Sequence, residues 1–185
     1  MLDGTPGGTV DTQRHDGFLK GFGIKEGDPA IVGKQITNGA LDKGQTAMEN
    51  LLTAHPDINV VYTINEPAAQ GAYAAIKKAG KVKDIVLTSI DGGCLGVQYV
   101  KDGKIAATVM QFPKIMATRG VGYVVDFVKT GKKPSGFIDT GATLITDKPF
   151  PGLPSKDTKF GVENCWRLQT QSRASCRYSP FNETA

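Results

Sequence analysis

The sequence predicts an α/β fold, a three-layer architecture in which a parallel sheet is flanked by helices. From residue 30 onward, short runs of β-branched and other apolar residues alternate with longer stretches of helical period, which is typical of βαβ units. Each apolar run is nearly continuous, as expected for strands covered on both faces. A chain of 185 residues can build one full-sized core, but two large independent domains would not fit.

Five predicted strands alternate with predicted helices. The strands are residues 30–36, 60–64, 85–90, 106–110 and 142–145, and the helices are residues 9–22, 41–55, 66–79, 91–102 and 113–130. Asn65 can cap the third helix, and Pro67 suits a first turn, where no amide donor is needed. Pro56 ends the second helix. The helix bounds therefore depend on local capping signals.

Both ends of the sequence differ from its middle. Met1 and Leu2 are interpreted as the last residues of a strand that begins upstream, because a strand of two residues is too short to hold a place in a central sheet. The first residues lack the basic segment and apolar run of an export signal, so we expect any export to be specified by sequence outside this chain. Residues 167–185 are polar and without periodicity, which predicts a disordered tail.

Composition excludes several classes of function. The net charge is +4 and charged residues make up 22% of the chain, with both signs scattered along it, so no nucleic-acid partner is predicted. The longest apolar runs are far shorter than the roughly 20 residues that cross a bilayer. Cys94, Cys165 and Cys176 form no metal-ligand pattern, so no metal site is predicted. Two alternatives stay open for Cys94 and Cys165: buried thiols, or a disulfide suited to an oxidising compartment.

Polar side chains follow the predicted strands at the points where the strands end. The residues concerned are Asn38 after residue 36, Asn65 after residue 64, Asp91 after residue 90 and Gln111 after residue 110. Arg14, early in the first helix, can reach the same edge. Because ligands of open parallel sheets bind at the carboxyl ends of the strands, these five residues are predicted to form one site. Amide, carboxylate and guanidinium groups suit the vicinal hydroxyls of a sugar.

A series of short motifs resembles the ribose- and fructose-binding periplasmic proteins of ABC importers. The motifs are NLLTAHPD at 50–57, VYTINE at 61–66, GA at 71–72, DG at 91–92, DGKIAAT at 102–108 and QFP at 111–113. The fructose-binding branch is the more similar one, through TNGA at 37–40 and ENCW at 163–166. The resemblance covers about residues 2–166 and does not extend into the tail.

The resemblance implies roles for the same five residues. Arg14, within RHDGF at 14–18, resembles the family's sugar-binding arginine. Asn65, Asp91 and Gln111 fall on its asparagine, aspartate and glutamine. The ribose-binding branch has an aromatic residue at the position of Gly39, so stacking is absent there and Asn38 is expected to supply a hydrogen bond instead.

The resemblance also implies a division of the chain. The family has two α/β lobes that close on a sugar, and this chain matches the C-terminal one. Residues 1–112 are then the sugar-binding lobe with a truncated first strand, residues 113–138 hold a helix that would pack on the missing N-terminal lobe, and residues 139–166 are the returning strand and C-terminal segment. Exposed apolar residues of the helix at 113–130 would favour self-association.

The implied partners are a monosaccharide and the membrane permease of an ABC transporter, and the implied location is the periplasm. No catalytic residue, metal or cofactor is predicted. Two alternatives remain. The effector domain of a sugar-responsive repressor shares this fold, but it would need a DNA-binding segment upstream. A small α/β enzyme is the other, yet the glycine-rich residues 3–8 match neither a dinucleotide nor a Walker motif, and His15 and His55 lack a recognisable nucleophile.

Overall fold

The structure is a computed structural model that describes residues 1–166; the predicted disorder of residues 167–185 lies outside them. Strands and helices alternate along the described chain. In order they are β1 (Leu2–Asp3), α1 (Thr9–Phe22), β2 (Gln35–Ile36), α2 (Leu41–Ala54), β3 (Val60–Tyr62), α3 (Glu66–Lys78), β4 (Val86–Asp91), α4 (Cys94–Lys101), β5 (Ala107–Met110), α5 (Pro113–Thr130), β6 (Thr143–Ile145) and α6 (Thr158–Asn164). The predicted α/β class is confirmed.

The sheet is mixed, with strand order β3-β4-β5-β6 in its larger part. Strands β3, β4 and β5 are parallel, whereas β6 runs antiparallel to β5. The predicted parallel sheet is confirmed for β3 to β5, and β6 is antiparallel at its edge because the chain after α5 returns in the opposite direction.

Strand β1 occupies a central position despite its two residues. It pairs in parallel with β2, and on its other side the Ile64 amide donates to the Leu2 carbonyl at 2.9 Å. The amino group of Met1 donates to the Gly33 carbonyl at 2.7 Å, and the Leu2 side chain is fully buried. Pairing on both sides holds these two residues in the sheet.

The predicted strand at residues 30–36 is much shorter in the structure. Only Gln35 and Ile36 form β2, and both are exposed, Ile36 by 55%. Strand β2 has a neighbour on one side within the described residues, so it is an edge strand. The expected burial on both faces is wrong here.

The main core lies where α2, α3 and α4 pack on the sheet. Its most buried large side chains include Met48 of α2, Ile76 of α3 and Ile105 ahead of β5. Helices α2 and α3 approach very closely: a Cβ on Gly44 would lie 2.4 Å from the Ala68 carbonyl oxygen, and one on Gly71 would lie 1.9 Å from the Leu41 carbonyl oxygen. Glycine is required at both positions because the neighbouring atoms belong to the backbone.

Helix α5 is unlike the other long helices because none of its residues is buried. Val121, Val124 and Val128 are 65%, 63% and 78% exposed. The helix is anchored at its middle, where Arg119 Nη1 donates to the Asp139 carbonyl at 2.6 Å. An apolar face of α5 is therefore open.

The C-terminal segment is held by α6, which the sequence pattern did not predict. The Asp157 side chain caps α6 by accepting from the Phe160 amide, and Thr158 is bound by Asp147 through its amide and its hydroxyl, both at 2.8 Å. A disulfide joins Cys94 at the start of α4 to Cys165 after α6, with 4.9 Å between the Cα atoms. Of the two alternatives for these cysteines, the structure has the disulfide.

Candidate ligand-binding site

Asp91, the last residue of β4, lies at the centre of a cluster of hydrogen bonds. Its Oδ1 accepts from Arg14 Nη2 at 3.1 Å and from Gln111 Nε2 at 3.0 Å. Its Oδ2 lies 3.4 Å from the amide nitrogen of Glu66. Three of the five predicted ligand residues, Arg14, Asp91 and Gln111, are thus in direct contact at the carboxyl ends of β4 and β5.

Arg14 reaches this edge from the second turn of α1. Its Nη1 donates to the Ile64 carbonyl at 2.8 Å, while Nη2 pairs with Asp91, and both charged side chains are mostly buried, being 17% and 11% exposed. The planar guanidinium therefore joins the end of β3 to the end of β4. This geometry needs arginine, because a lysine ammonium is a point charge without a fixed fork.

Asn65 and Asn38, both among the described residues, form no hydrogen bond with Asp91. Asn65 Oδ1 caps α3 by accepting from the Ala68 amide at 3.1 Å, and Asn65 Nδ2 donates to the Gly39 carbonyl at 3.1 Å. Asn38 is exposed and has a φ of 50°, which asparagine tolerates better than most residues. Asn65 thus positions the turn that carries Asn38 and Gly39.

The turn that carries Asp91 has an unusual backbone. Asp91 has a φ of 153° and Gly92 one of 71°. Residues other than glycine rarely adopt such positive φ values. A Cβ on Gly92 would lie 2.4 Å from Met110 Cβ, so only glycine fits. Surrounding contacts must hold this turn, and they come from Glu66 on one side and from Trp166 on the other.

Glu66, at the start of α3, is buried to 4% exposure and accepts hydrogen bonds from the turn. Its Oε1 accepts from the Gly92 amide at 2.9 Å and from the Thr108 hydroxyl at 2.8 Å, and its Oε2 accepts from the Gly93 amide at 3.1 Å. The sequence places Glu66 directly after a predicted strand, at the same edge, but Glu66 was not among the five predicted ligand residues. An acidic residue in the first turn of a helix is ordinary, so no local signal distinguished it.

Trp166 holds the other side of the turn. Its indole Nε1 donates to the Asp91 carbonyl at 3.1 Å, and its own carbonyl accepts from the Cys94 amide at 3.0 Å. The adjacent disulfide from Cys165 to Cys94 ties the same segment to α4. Sequence reasoning missed this contact because residue 166 is far from residue 91 along the chain.

Burial dominates the electrostatics of the two carboxyl groups. Burial raises the pKa of Glu66 to about 7, with the charge of Asp91 acting in the same direction and the Thr108 and glycine donors opposing it. The pKa of Asp91 is raised as well, again by burial, although the Arg14 guanidinium opposes this shift. The carboxyl groups of Glu66 and Asp91 thus lie near each other and largely away from water, which raises the pKa of both.

Two cavities lie elsewhere in the described structure. One of about 410 Å³ is found where β4 and β5 begin, with Tyr73, Val86 and Ile105 in its lining, and one of about 370 Å³ lies beside the loop from Asp3 to Gly7. Neither is lined by Arg14, Asp91 or Gln111. The donors and acceptors around Asp91 form a rim at the carboxyl ends of β4 and β5.

Within residues 1–166, no group of three or more His, Cys, Asp or Glu side chains is placed to hold a metal ion. Among the helices described, none has the length and apolar character that a membrane span requires.

Comparison with protein families gives a match over residues 1–133 to the periplasmic binding protein domain. This chain belongs to that family. Among its relatives, the ribose import binding protein of Salmonella typhimurium is 36% identical over 132 residues, which are 71% of this chain and 43% of that protein. The ribose import binding protein of Bacillus subtilis is 35% identical over 147 residues, which are 80% of this chain and 46% of that protein.

The solved structures of the family share the fold. A periplasmic solute binding protein of an ABC transporter from Actinobacillus succinogenes, with bound D-allose, superposes with a TM-score of 0.67 and 30% identity. The superposition covers 77% of this chain and 50% of that one. This chain therefore spans about half the length of the relatives that it matches, and it corresponds to one lobe of a periplasmic binding protein.

Proposed function

We propose that this chain is the sugar-binding lobe of a substrate-binding protein that delivers a monosaccharide to an ABC importer. The observation that carries the proposal is the contact of Arg14, Asp91 and Gln111 at one sheet edge, in a chain whose relatives are named as ribose import binding proteins. A sugar hydroxyl both donates and accepts, so it can bond to a carboxylate and to an arginine or amide donor at the same time.

Each side chain has a distinct part in the proposed binding. Asp91 is the acceptor for two sugar hydroxyls, since a carboxylate has about four lone-pair sites and the two contacts at Oδ1 leave capacity. Arg14 and Gln111 orient Asp91 and donate to sugar oxygens. Asn65 and Asn38 extend the same rim. Ribose, allose and fructose all carry hydroxyls that can make these contacts.

The chain alone is expected to bind weakly. The opposing lobe would exclude water from the rim, and charged hydrogen bonds are weaker where water competes for the same groups. We expect a dissociation constant of about 1 mM or weaker, equivalent to about 4 kcal/mol. In the whole protein, residues 1–112 would form the sugar-binding lobe and the helix in residues 113–138 would pack on the other lobe, with residues 139–166 returning to the sheet.

The remaining assignments follow from the relatives. A permease in the membrane is the proposed partner of the complete protein, and the periplasm its proposed location. The relatives are named as import binding proteins, which favours transport over a repressor effector domain and over catalysis. Self-association through α5 is proposed only for the chain by itself, where that helix face is open.

The Asp91→Asn variant tests the proposal, with sugar binding followed by NMR shifts of the labelled chain during titration with D-ribose, D-allose and D-fructose. We expect at least tenfold weaker binding, because the variant loses a charged acceptor worth ~1.4 kcal/mol or more. Asparagine keeps the shape and an oxygen for Arg14, so the fold should persist. Alanine is a poorer choice, since it would leave the mostly buried guanidinium without its partner.

Asp102→Asn is the matched control. This carboxylate is exposed and pairs with Lys104 after α4, so the variant should bind sugar as the unmodified chain does. Micromolar affinity for the isolated chain would contradict the expected weakness. Sugar-dependent shifts that leave Arg14, Asp91 and Gln111 unmoved would contradict the site.

A further inference from the structure

Glu66 is a buried carboxylate that the proposed binding chemistry does not use. Its three donors come from the turn after β4 and from β5: the amides of Gly92 and Gly93 and the hydroxyl of Thr108. The Glu66 amide in turn lies 3.4 Å from Asp91 Oδ2. The same residue therefore contacts the Asp91 turn through its side chain and through its backbone.

The space around the carboxylate is closely fitted. A Cβ on Gly96 would lie 1.8 Å from Glu66 Cδ, and one on Gly93 would lie 2.9 Å from Glu66 Oε2. No larger residue fits at Gly96 unless Glu66 moves. The first turn of α4 and the carboxylate thus fill one compact volume, which fixes where the turn can lie.

We propose that Glu66 is a positioning residue for sugar binding, which sets the affinity by holding the turn from Asp91 to Gly93 in the geometry that presents Asp91 to the ligand. This role rests on the proposed function of the rim. Asp91 has an uncommon φ, so without external contacts the turn would relax to other conformations and its carboxylate would leave the cluster with Arg14.

The protonation state of Glu66 should change how well it holds the turn. An ionised carboxylate is acceptor-only and can serve all three donors, whereas the acid carries an O–H that needs an acceptor and competes with one of them. Burial places the pKa of Glu66 at about 7, so both states are populated near neutral pH. Asp91 is the ionisable group that acts on Glu66, and Arg14 neutralises Asp91 from α1.

The Trp166 indole can report on the conformation of this turn. Trp166 is the one tryptophan of the 185-residue chain, and its indole donates to the Asp91 carbonyl. In the ¹⁵N-labelled full chain, without sugar, its indole resonance is expected to titrate with a midpoint near pH 7. Glu66→Gln should abolish this transition, because glutamine does not ionise. Glu49→Gln, a surface carboxylate paired with Lys78, should leave it unchanged.

Sugar titrations at pH 6 and pH 8 then test the effect on binding, with D-ribose as the probe. The unmodified chain should bind about tenfold more tightly at pH 8, the effect of one hydrogen bond. Glu66→Gln should bind equally weakly at both values, because its amide presents a donor toward the donors of the turn. Thr108→Val is a milder variant that removes one donor, and it should weaken binding while keeping a dependence on pH.

The outcomes separate the two proposals. Two results would overturn the role of Glu66 while leaving the proposed function standing, provided that the unmodified chain binds sugar. One is an indole transition that persists in Glu66→Gln. The other is equal sugar affinity of the unmodified chain and Glu66→Gln at both pH values. Failure of the unmodified chain to bind any of the three sugars would overturn the proposed function, and this role with it. Loss of the transition and of the pH dependence in Glu66→Gln alone would support the role.

Discussion

Asp91 gathers contacts from distant parts of the chain. Arg14 comes from α1, Gln111 follows β5, Glu66 begins α3 and Trp166 follows α6. A carboxylate at this point is tolerated away from water because a cation and several donors surround it. The same contacts explain how a single residue can organise the proposed binding rim.

His15 is a second residue with paired ionisable neighbours. Its Nδ1 lies 2.8 Å from Asp3 Oδ1 and its Nε2 3.1 Å from Glu26 Oε2, and Lys34 pairs with the same glutamate. Burial lowers the pKa of His15, but the hydrogen bonds and charges of Asp3 and Glu26 outweigh it, so the pKa is raised above 6.5. The charged imidazolium is therefore the form that stabilises the fold.

The His15→Asn variant should destabilise the chain most on the acidic side. A raised pKa in the folded state gives stability that is complete below the unfolded pKa of His, about 6.5, and is lost as pH rises through the folded value. Denaturant unfolding at pH 5.5 and pH 8 measures the difference. We expect a deficit at pH 5.5 that shrinks by pH 8. The His55→Asn variant, at the other histidine, is the control, and a deficit independent of pH would contradict the prediction.

Helices α2 and α3 can pack closely because the glycines at their contact have no side chain. The Gly71→Ala variant should destabilise the chain by about 2 kcal/mol, because the added methyl meets the Leu41 carbonyl and the Gln45 amide, which are backbone atoms. Thermal and denaturant unfolding measure this change. Gly17→Ala in α1 is the matched control, since its Cβ would meet nothing within 4 Å. The Gly17→Ala variant should be as stable as the unmodified chain or more so. A similar loss of stability in Gly71→Ala and Gly17→Ala would contradict the explanation from helix packing.

Helix α5 should make the isolated chain associate at high concentration. Its open apolar residues can leave water only by meeting another surface. Sedimentation velocity over a range of concentrations should reveal dimers or larger species, and Val124→Asp with Val128→Asp should remove them. Val86→Asp, at an exposed position of β4, tests whether any added charge has this effect. Concentration-independent monomers in the unmodified chain would contradict the prediction.

Across the whole molecule, the sequence predicts helix bounds, which depend on neighbouring residues, better than strand pairings, which join distant residues. Helix α1 has the predicted bounds of residues 9–22, and α2 ends one residue before the predicted 55, because caps and breakers lie within the helices themselves. The antiparallel β6, the exposed β2 and the central β1 depend on pairings that periodicity does not record. Arg14, Asp91 and Gln111 were placed together because strand ends converge in any parallel sheet.

The rest of the site depends on contacts between separated segments. Asn65 caps α3 and donates to the Gly39 carbonyl, so its hydrogen bonds go to residues other than Asp91. Glu66 and Trp166, which hold the turn, carry no distinctive local signal. The disulfide was one of two alternatives because cysteine spacing alone does not decide a pairing.

The bond between Cys94 and Cys165 spans 71 residues, and closing such a loop stabilises the folded state by about 4 kcal/mol through the unfolded chain. It also makes that part of the polypeptide a ring that contains all of α5. A single tryptic cut after the exposed Lys132 should leave both fragments running as one species on a non-reducing gel. Dithiothreitol should separate them, and separation without a reductant would contradict the pairing. Scission of the ring would thus leave Trp166 tethered beside Asp91, so a nicked molecule would keep the hydrogen bond from the indole to the Asp91 carbonyl.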